Sequence, residues 1–176
     1  MDKSIVLLDG GFTDKCVQNE LGGRRLDYLR LSEKLAEGTD RTGPTTITVC
    51  RIRAIPPTPE ERMRYAAMDK FIASLRVLPR FEVRHGRLQR IGGIYTQKGV
   101  DVQMAVDLLR LSFRGSIGQV IIVTGDSDLI PAISASRDEG ILVKLFYSRQ
   151  STHASLIASV DEHYVLATHI GTTCFR

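Results

Sequence analysis

The sequence predicts an α/β fold, a mainly parallel sheet with helices on both faces. The prediction rests on short, largely apolar runs bounded by an acid or glycine, and on amphipathic helical stretches that alternate with them. Ser4-Ile5-Val6-Leu7-Leu8-Asp9 and residues 119–123 are such runs, as is Ile141-Leu142-Val143-Lys144-Leu145-Phe146 after Gly140. Runs of this kind suit strands buried on both faces, and strands alternating with helices wind into a parallel sheet. No linker or repeat divides the chain, so residues 1–176 are read as one domain.

Taken in order, Asp9-Gly10-Gly11 ends the first strand, and the glycines allow a tight exit or the close approach of a ligand. From Arg24 to Glu37, Leu26, Leu29, Leu31 and Leu35 suggest a short amphipathic helix closed by Gly38. Thr39 to Pro44 reads as a polar loop. The β-branched run Thr45–Ile55 reads as a strand, with Arg51 and Arg53 on one face. Pro56-Pro57-Thr58-Pro59 is a rigid turn, and Thr58-Pro59-Glu60-Glu61 opens a helix to about Leu75. Phe81–Ile91 alternates apolar with charged residues, as one half-buried strand or a hairpin, with Arg84, Arg87 and Arg90 on its exposed face.

After the break at Gly92-Gly93, a helix is expected over about Val100–Phe113 with Val100, Met104, Leu108 and Leu111 on its apolar face. Asp101 then lies in its first turn, and Asp107 projects to the polar side with Gln103 and Arg110. A helix over 128–138 follows the strand 119–123. A short helix within Ser151–Ser159, then Asp161-Glu162-His163 and a frayed tail, complete the chain.

Composition bounds the function. Hydrophobic residues make up 43% and charged residues 25%, ordinary for a soluble globular protein. The longest apolar runs are far too short to span a membrane, and no signal peptide is expected at the start of the sequence. Cys16, Cys50 and Cys174 fit no disulfide or zinc spacing and are expected to be free thiols in the cytoplasm. The net charge is only +4, but between Arg51 and Arg90 nine Arg and one Lys face four acids. Arginine matches phosphate geometry, which makes a polyanionic partner plausible beside the plainer reading of a solvated helix face.

The acids carry the chemistry. Asp9 and Asp126 end two buried strands, and Asp128 follows two residues on in Gly125-Asp126-Ser127-Asp128. The strands of a parallel sheet direct their carboxyl ends to one edge, where ligands bind. Each Asp alone is more simply a cap or turn residue. Gathered at one edge with Asp101, without suitable Cys or His, they suit a hard cation, Mg²⁺ or Mn²⁺.

Tyr95-Thr96-Gln97-Lys98-Gly99-Val100-Asp101-Val102-Gln103-Met104-Ala105-Val106-Asp107 and Val123-Thr124-Gly125-Asp126-Ser127-Asp128-Leu129-Ile130-Pro131 resemble the NYN domain, in its LabA-like branch of the PIN-like nuclease superfamily. The resemblance runs nearly end to end. It implies a three-layer α/β/α Rossmann-like (PIN-like) fold and metal-dependent ribonuclease chemistry at Asp9, Asp101, Asp126 and Asp128. It makes Asp107, Ser127 and Lys98 secondary candidates. Ser127 would hold a water or phosphate oxygen, and Lys98 a substrate phosphate. RNA, single-stranded for preference, would lie along Lys98, Arg84, Arg87, Arg90 and Arg149. Many relatives carry Asn shortly after the first Asp, where this chain has Gly11.

Two other functions fit parts of the sequence. A non-catalytic RNA-binding module would keep the fold and explain Gly11. A haloacid-dehalogenase-like phosphatase would use Asp9 as nucleophile but lacks a second acid at position 11. Exposed elements also leave room for a homodimer. His153 reads as a surface histidine, and Asp161 as a structural acid.

Overall fold

The computed structural model describes residues 3–38, 40–51, 58–91 and 94–175, apart from the side chains of 40–44, 50–51, 61, 87–91 and 94–98. Seven strands form one sheet: β1 (Lys3–Asp9), β2 (Asp40–Arg51), β3 (Phe81–Ile91), β4 (Ile94–Lys98), β5 (Gln119–Val123), β6 (Leu142–Tyr147) and β7 (Glu162–Val165). Their order is β4-β3-β2-β1-β5-β6-β7. Every pair is parallel except β3 with β4.

The helices are α1 (Gly10–Glu20), α2 (Tyr28–Leu35), α3 (Pro59–Arg76), α4 (Val100–Ser112), α5 (Ile130–Asp138), α6 (Ala154–Ala158) and α7 (Leu166–His169). One core cluster joins Val6 and Leu8 to Cys16, Leu31, Ile72 and Leu166, from α1, α2, α3 and α7. The other joins Ile5 and Leu7 to Met104, Leu108, Ile133 and Leu156, from α4, α5 and α6. Alternate residues of β1 thus face opposite helix layers, as the period of a strand requires. This is the expected three-layer α/β/α arrangement. The chain leaves β1 toward β2 on one side and returns at β5 on the other. The gap between the carboxyl ends of β1 and β5 is therefore the topological switch point.

Several boundaries differ from the sequence reading. Gly10-Gly11 begins α1, because the Asp9 carboxylate caps the helix by accepting from the Phe12 amide at 3.0 Å. The helix expected from Arg24 starts at Tyr28, capped by Asp27 through the amides of Leu29 and Arg30. The expected loop 40–44 belongs to β2, paired with β1. β4 was not anticipated, nor was β7, which replaces part of the expected frayed tail. Residues 52–57, including Arg53 and the first two residues of the proline turn, lie outside the described residues. Among the described residues, no helix is long and apolar enough to cross a membrane.

Candidate active site

Two glycines bring the carboxyl ends of β1, β2 and β5 together. A Cβ on Gly10 would stand 2.9 Å from the Thr48 carbonyl oxygen and 2.9 Å from Val49 Cγ1, so the first turn of α1 can lie directly on β2. A Cβ on Gly125 would stand 2.5 Å from Cε2 of Phe12. The Phe12 ring therefore occupies the space a larger residue would take, and it ties α1 to the end of β5. Asp9 and Asp126 face each other across this junction.

Asp9 is half-buried. Burial pushes its carboxyl up, the Phe12 and Gly11 amides pull it down, Asp126 pushes it up again and Lys15 lowers it. Asp126 caps a 3₁₀ turn over Ser127–Leu129, accepting from the Asp128 amide at 2.9 Å, and its own amide donates to the Thr124 hydroxyl at 3.2 Å. Asp101 enters from the first turn of α4, which begins after Gly99 at φ +81°. The positive end of the helix favours its ionised form. Its carboxyl is nonetheless pushed up to about 6, first by burial, then by repulsion from Asp126 and a proton-sharing contact with it, then by Asp9 and Asp128. Asp9, Asp126 and Asp128 thus all bear on Asp101, and Asp126 also bears on Asp9. Asp128 is exposed at the rim, and Ser127 is half-buried beside it.

Thr48, which sequence reasoning missed, is the register partner of Asp9 on β2. Its side chain is 1% exposed, and its hydroxyl makes no hydrogen bond among the described residues. A buried hydroxyl without a partner is costly. The only available signal lay in the pairing of β1 with β2, which periodicity does not specify.

These residues suit a hard cation in part. The donors are carboxylates, their mutual repulsion favours a counter-charge, and Thr48 adds an unused oxygen beside them. Among the described residues, however, no three His, Cys, Asp or Glu side chains are arranged to hold a metal ion as they stand. Chelation would require at least one carboxylate to change rotamer.

Asp107 does not project outward. It is 2% exposed, because α4 turns that face onto β3. It accepts from Arg84 Nε at 3.0 Å and from Gln103 at 3.2 Å, and pairs with Arg110 at 3.1 Å. Gln103 and Arg110 are its neighbours, as expected, but they enclose it. Arg84 likewise does not sit on an open face: it is 30% exposed and also pairs with Glu82. Arg149 is exposed. The side chains of Arg87, Arg90 and Lys98 lie outside the described residues. His153 caps α6 through the Ser155 amide, and Asp161 holds Arg137 at 2.8 Å and the Val143 amide at 2.8 Å.

The family model of the NYN domain matches residues 5–167, nearly the whole chain. The chain belongs to the NYN domain family. That match does not distinguish the LabA-like branch. Membership places the chain in the PIN-like nuclease superfamily and leaves the phosphatase reading without support. Among solved structures, the chain is similar to a crystal structure of a protein of unknown function from Vibrio parahaemolyticus. The two share 17% identity at a TM-score of 0.64, over 99% of this chain and 96% of that one. This likeness speaks for the fold alone. No curated protein matches the chain.

Proposed function

We propose that this NYN domain is a metal-dependent ribonuclease that hydrolyses phosphodiester bonds of single-stranded RNA. The observation that carries the reading is the crowding of Asp101 against Asp126, with Asp9 and Asp128 in the same field, at the switch point of the sheet. Such crowding destabilises the site unless a proton or cation offsets it, and enzymes retain that strain where they use it.

Asp9, Asp101 and Asp126 would hold Mg²⁺ or Mn²⁺, with Asp128 at the solvent side. The ion would polarise the phosphodiester and lower the pKa of water. Asp126 does its part from a fixed position, because the Asp128 amide binds one of its oxygens. Asp9 is held in the same way by the first turn of α1. Thr48 would offer its buried hydroxyl to a water held beside Asp9, and Ser127 lies at the mouth. Exposed Arg149, with Lys98, Arg87 and Arg90, would attract the RNA backbone. Arg84 would contribute less, since Asp107 and Glu82 already neutralise it.

A second reading, a non-catalytic RNA-binding module, is favoured by Gly11 and by the absence, among the described residues, of three ligands already set for a metal. One assay separates the two: cleavage of single-stranded and structured RNA with Mn²⁺, with Mg²⁺ and with EDTA. Metal-dependent cutting supports the enzyme. RNA binding without cutting under every condition supports the module.

A further inference from the structure

A cleft of about 530 Å³ lies between α1, the segment after it and α3, on the opposite face of the sheet from α4. Leu26, Met68, Phe71 and Leu75 give it an apolar floor. Tyr28, 5% exposed, packs against Phe71 with ring centroids 5.6 Å apart and planes tilted by 57°. The Tyr28 hydroxyl donates to Asp14 at 2.6 Å, which engages the acid in the wall. Arg24, Arg25 and Arg64 line the same cleft and are exposed. Arg24 lies over the Phe175 ring at 3.9 Å. None of the three forms an ion pair among the described residues, whereas Arg84, Arg110 and Arg137 are each paired to an acid.

We propose that this cleft binds a nucleotide, with the base on the apolar floor and the phosphate among Arg24, Arg25 and Arg64. The volume falls within the range of small-ligand sites. With Phe71 and Gln18 both in its lining, the cleft offers a base an aromatic and aliphatic surface to cover and a side-chain amide to hydrogen-bond. A simple fatty acid would use one guanidinium and leave the others without a partner. Three match a phosphate, to which arginine binds through paired donors. The nucleotide can be free in solution or part of an RNA strand. The strand-borne case rests on the ribonuclease reading. There α1 links the two places: its first turn is capped by Asp9, and Asp14 stands five residues on, about 7.5 Å along the helix axis.

The test is calorimetric titration of the full chain in EDTA with uridine monophosphate, adenosine monophosphate, a short single-stranded oligoribonucleotide and orthophosphate. We expect saturable binding of the nucleotides, with orthophosphate at least about tenfold weaker because it has no base to bury. Arg64→Glu should weaken nucleotide binding by about tenfold or more. Ala67→Trp, at an exposed position on the cleft wall, should fill the cleft and abolish binding. Both variants should melt like the wild type. Displacement of the oligonucleotide by a mononucleotide assigns the site to the strand, and mononucleotide binding alone assigns it to a free nucleotide; either supports the proposal. Orthophosphate binding as tightly as nucleotide, no binding at millimolar concentration, or binding unchanged by both variants would overturn it. EDTA removes any contribution from a metal, so failure here leaves the ribonuclease reading standing, and failure of cleavage removes the strand-borne case while leaving binding of a free nucleotide.

Discussion

Replacing Asp107 by Asn tests whether this acid is structural or catalytic. The carboxylate is 2% exposed and holds two guanidiniums, Arg84 at 3.0 Å and Arg110 at 3.1 Å. Unit charges about 4 Å apart attract by about 4 kcal/mol at an effective dielectric constant of about 20. Arg84 is 30% and Arg110 45% exposed, so solvent screens both pairs and the realised gain is smaller. Removing one member of a buried ion pair costs about 3–5 kcal/mol, and the partial exposure argues for the lower end, about 3 kcal/mol. For a chain of this size that lowers Tm by roughly 6–12 °C. Urea unfolding of Asp107→Asn gives the loss directly, and a double-mutant cycle with Arg84→Met should return a coupling of about 1 kcal/mol or more. The folded protein should keep its metal-dependent cleavage. A variant that melts within about 1 °C of the wild type but no longer cuts RNA would show Asp107 to be a chemical group, and the structural role would be wrong.

Other perturbations bear on the same site. Gly125→Ala should cost about 1–3 kcal/mol, because the new Cβ meets the Phe12 ring at 2.5 Å, and should reduce cleavage by separating Asp9 from Asp126; chemical denaturation and initial rates check both effects. Thr48→Val should be neutral or stabilising by about 1 kcal/mol, since it removes a buried hydroxyl without a partner, yet weaken Mn²⁺ binding in calorimetry; unchanged Mn²⁺ affinity argues against its place in the site. The pH dependence follows from Asp101, whose ordinary value is 3.8 and whose value here is about 6. The folded chain keeps this proton longer than the unfolded chain, so metal-free stability should fall as pH rises between these values and stay lower above them. Asp101→Asn should flatten that slope. Added Mg²⁺ should raise Tm at pH 7.5 more than at pH 5.5, where protons compete for the carboxylate; equal stabilisation at both would count against this ligand.

The sheet was legible because β1 and β5 are buried on both faces and, with β6, read as largely apolar runs. The acids at or just beyond the ends of β1 and β5 were legible for the same reason, since an Asp that stops a buried strand has few places to go. α1 was not, because Gly10-Gly11 looks like a turn until the Asp9 cap and the contact with β2 are known. β4 and β7 are short strands at the sheet's edges, whose pairing depends on neighbours distant in sequence. Asp107 was misplaced because a helical wheel counts charge as outward, whereas Arg84, brought by β3, makes its burial tolerable. Thr48 lay in a β-branched run with nothing to mark it until strand register set it beside Asp9.

The most direct test is cleavage of single-stranded RNA with Mn²⁺ by the wild type and by Asp126→Asn. The amide oxygen of Asn can still accept from the Asp128 amide, so the 3₁₀ turn is kept and only the charge is lost. Cleavage by the wild type that EDTA abolishes, together with an Asp126→Asn variant that melts normally and does not cut, is the expected result. An Asp126→Asn variant that cuts at the wild-type rate, or a wild type inactive with every divalent ion, would contradict it.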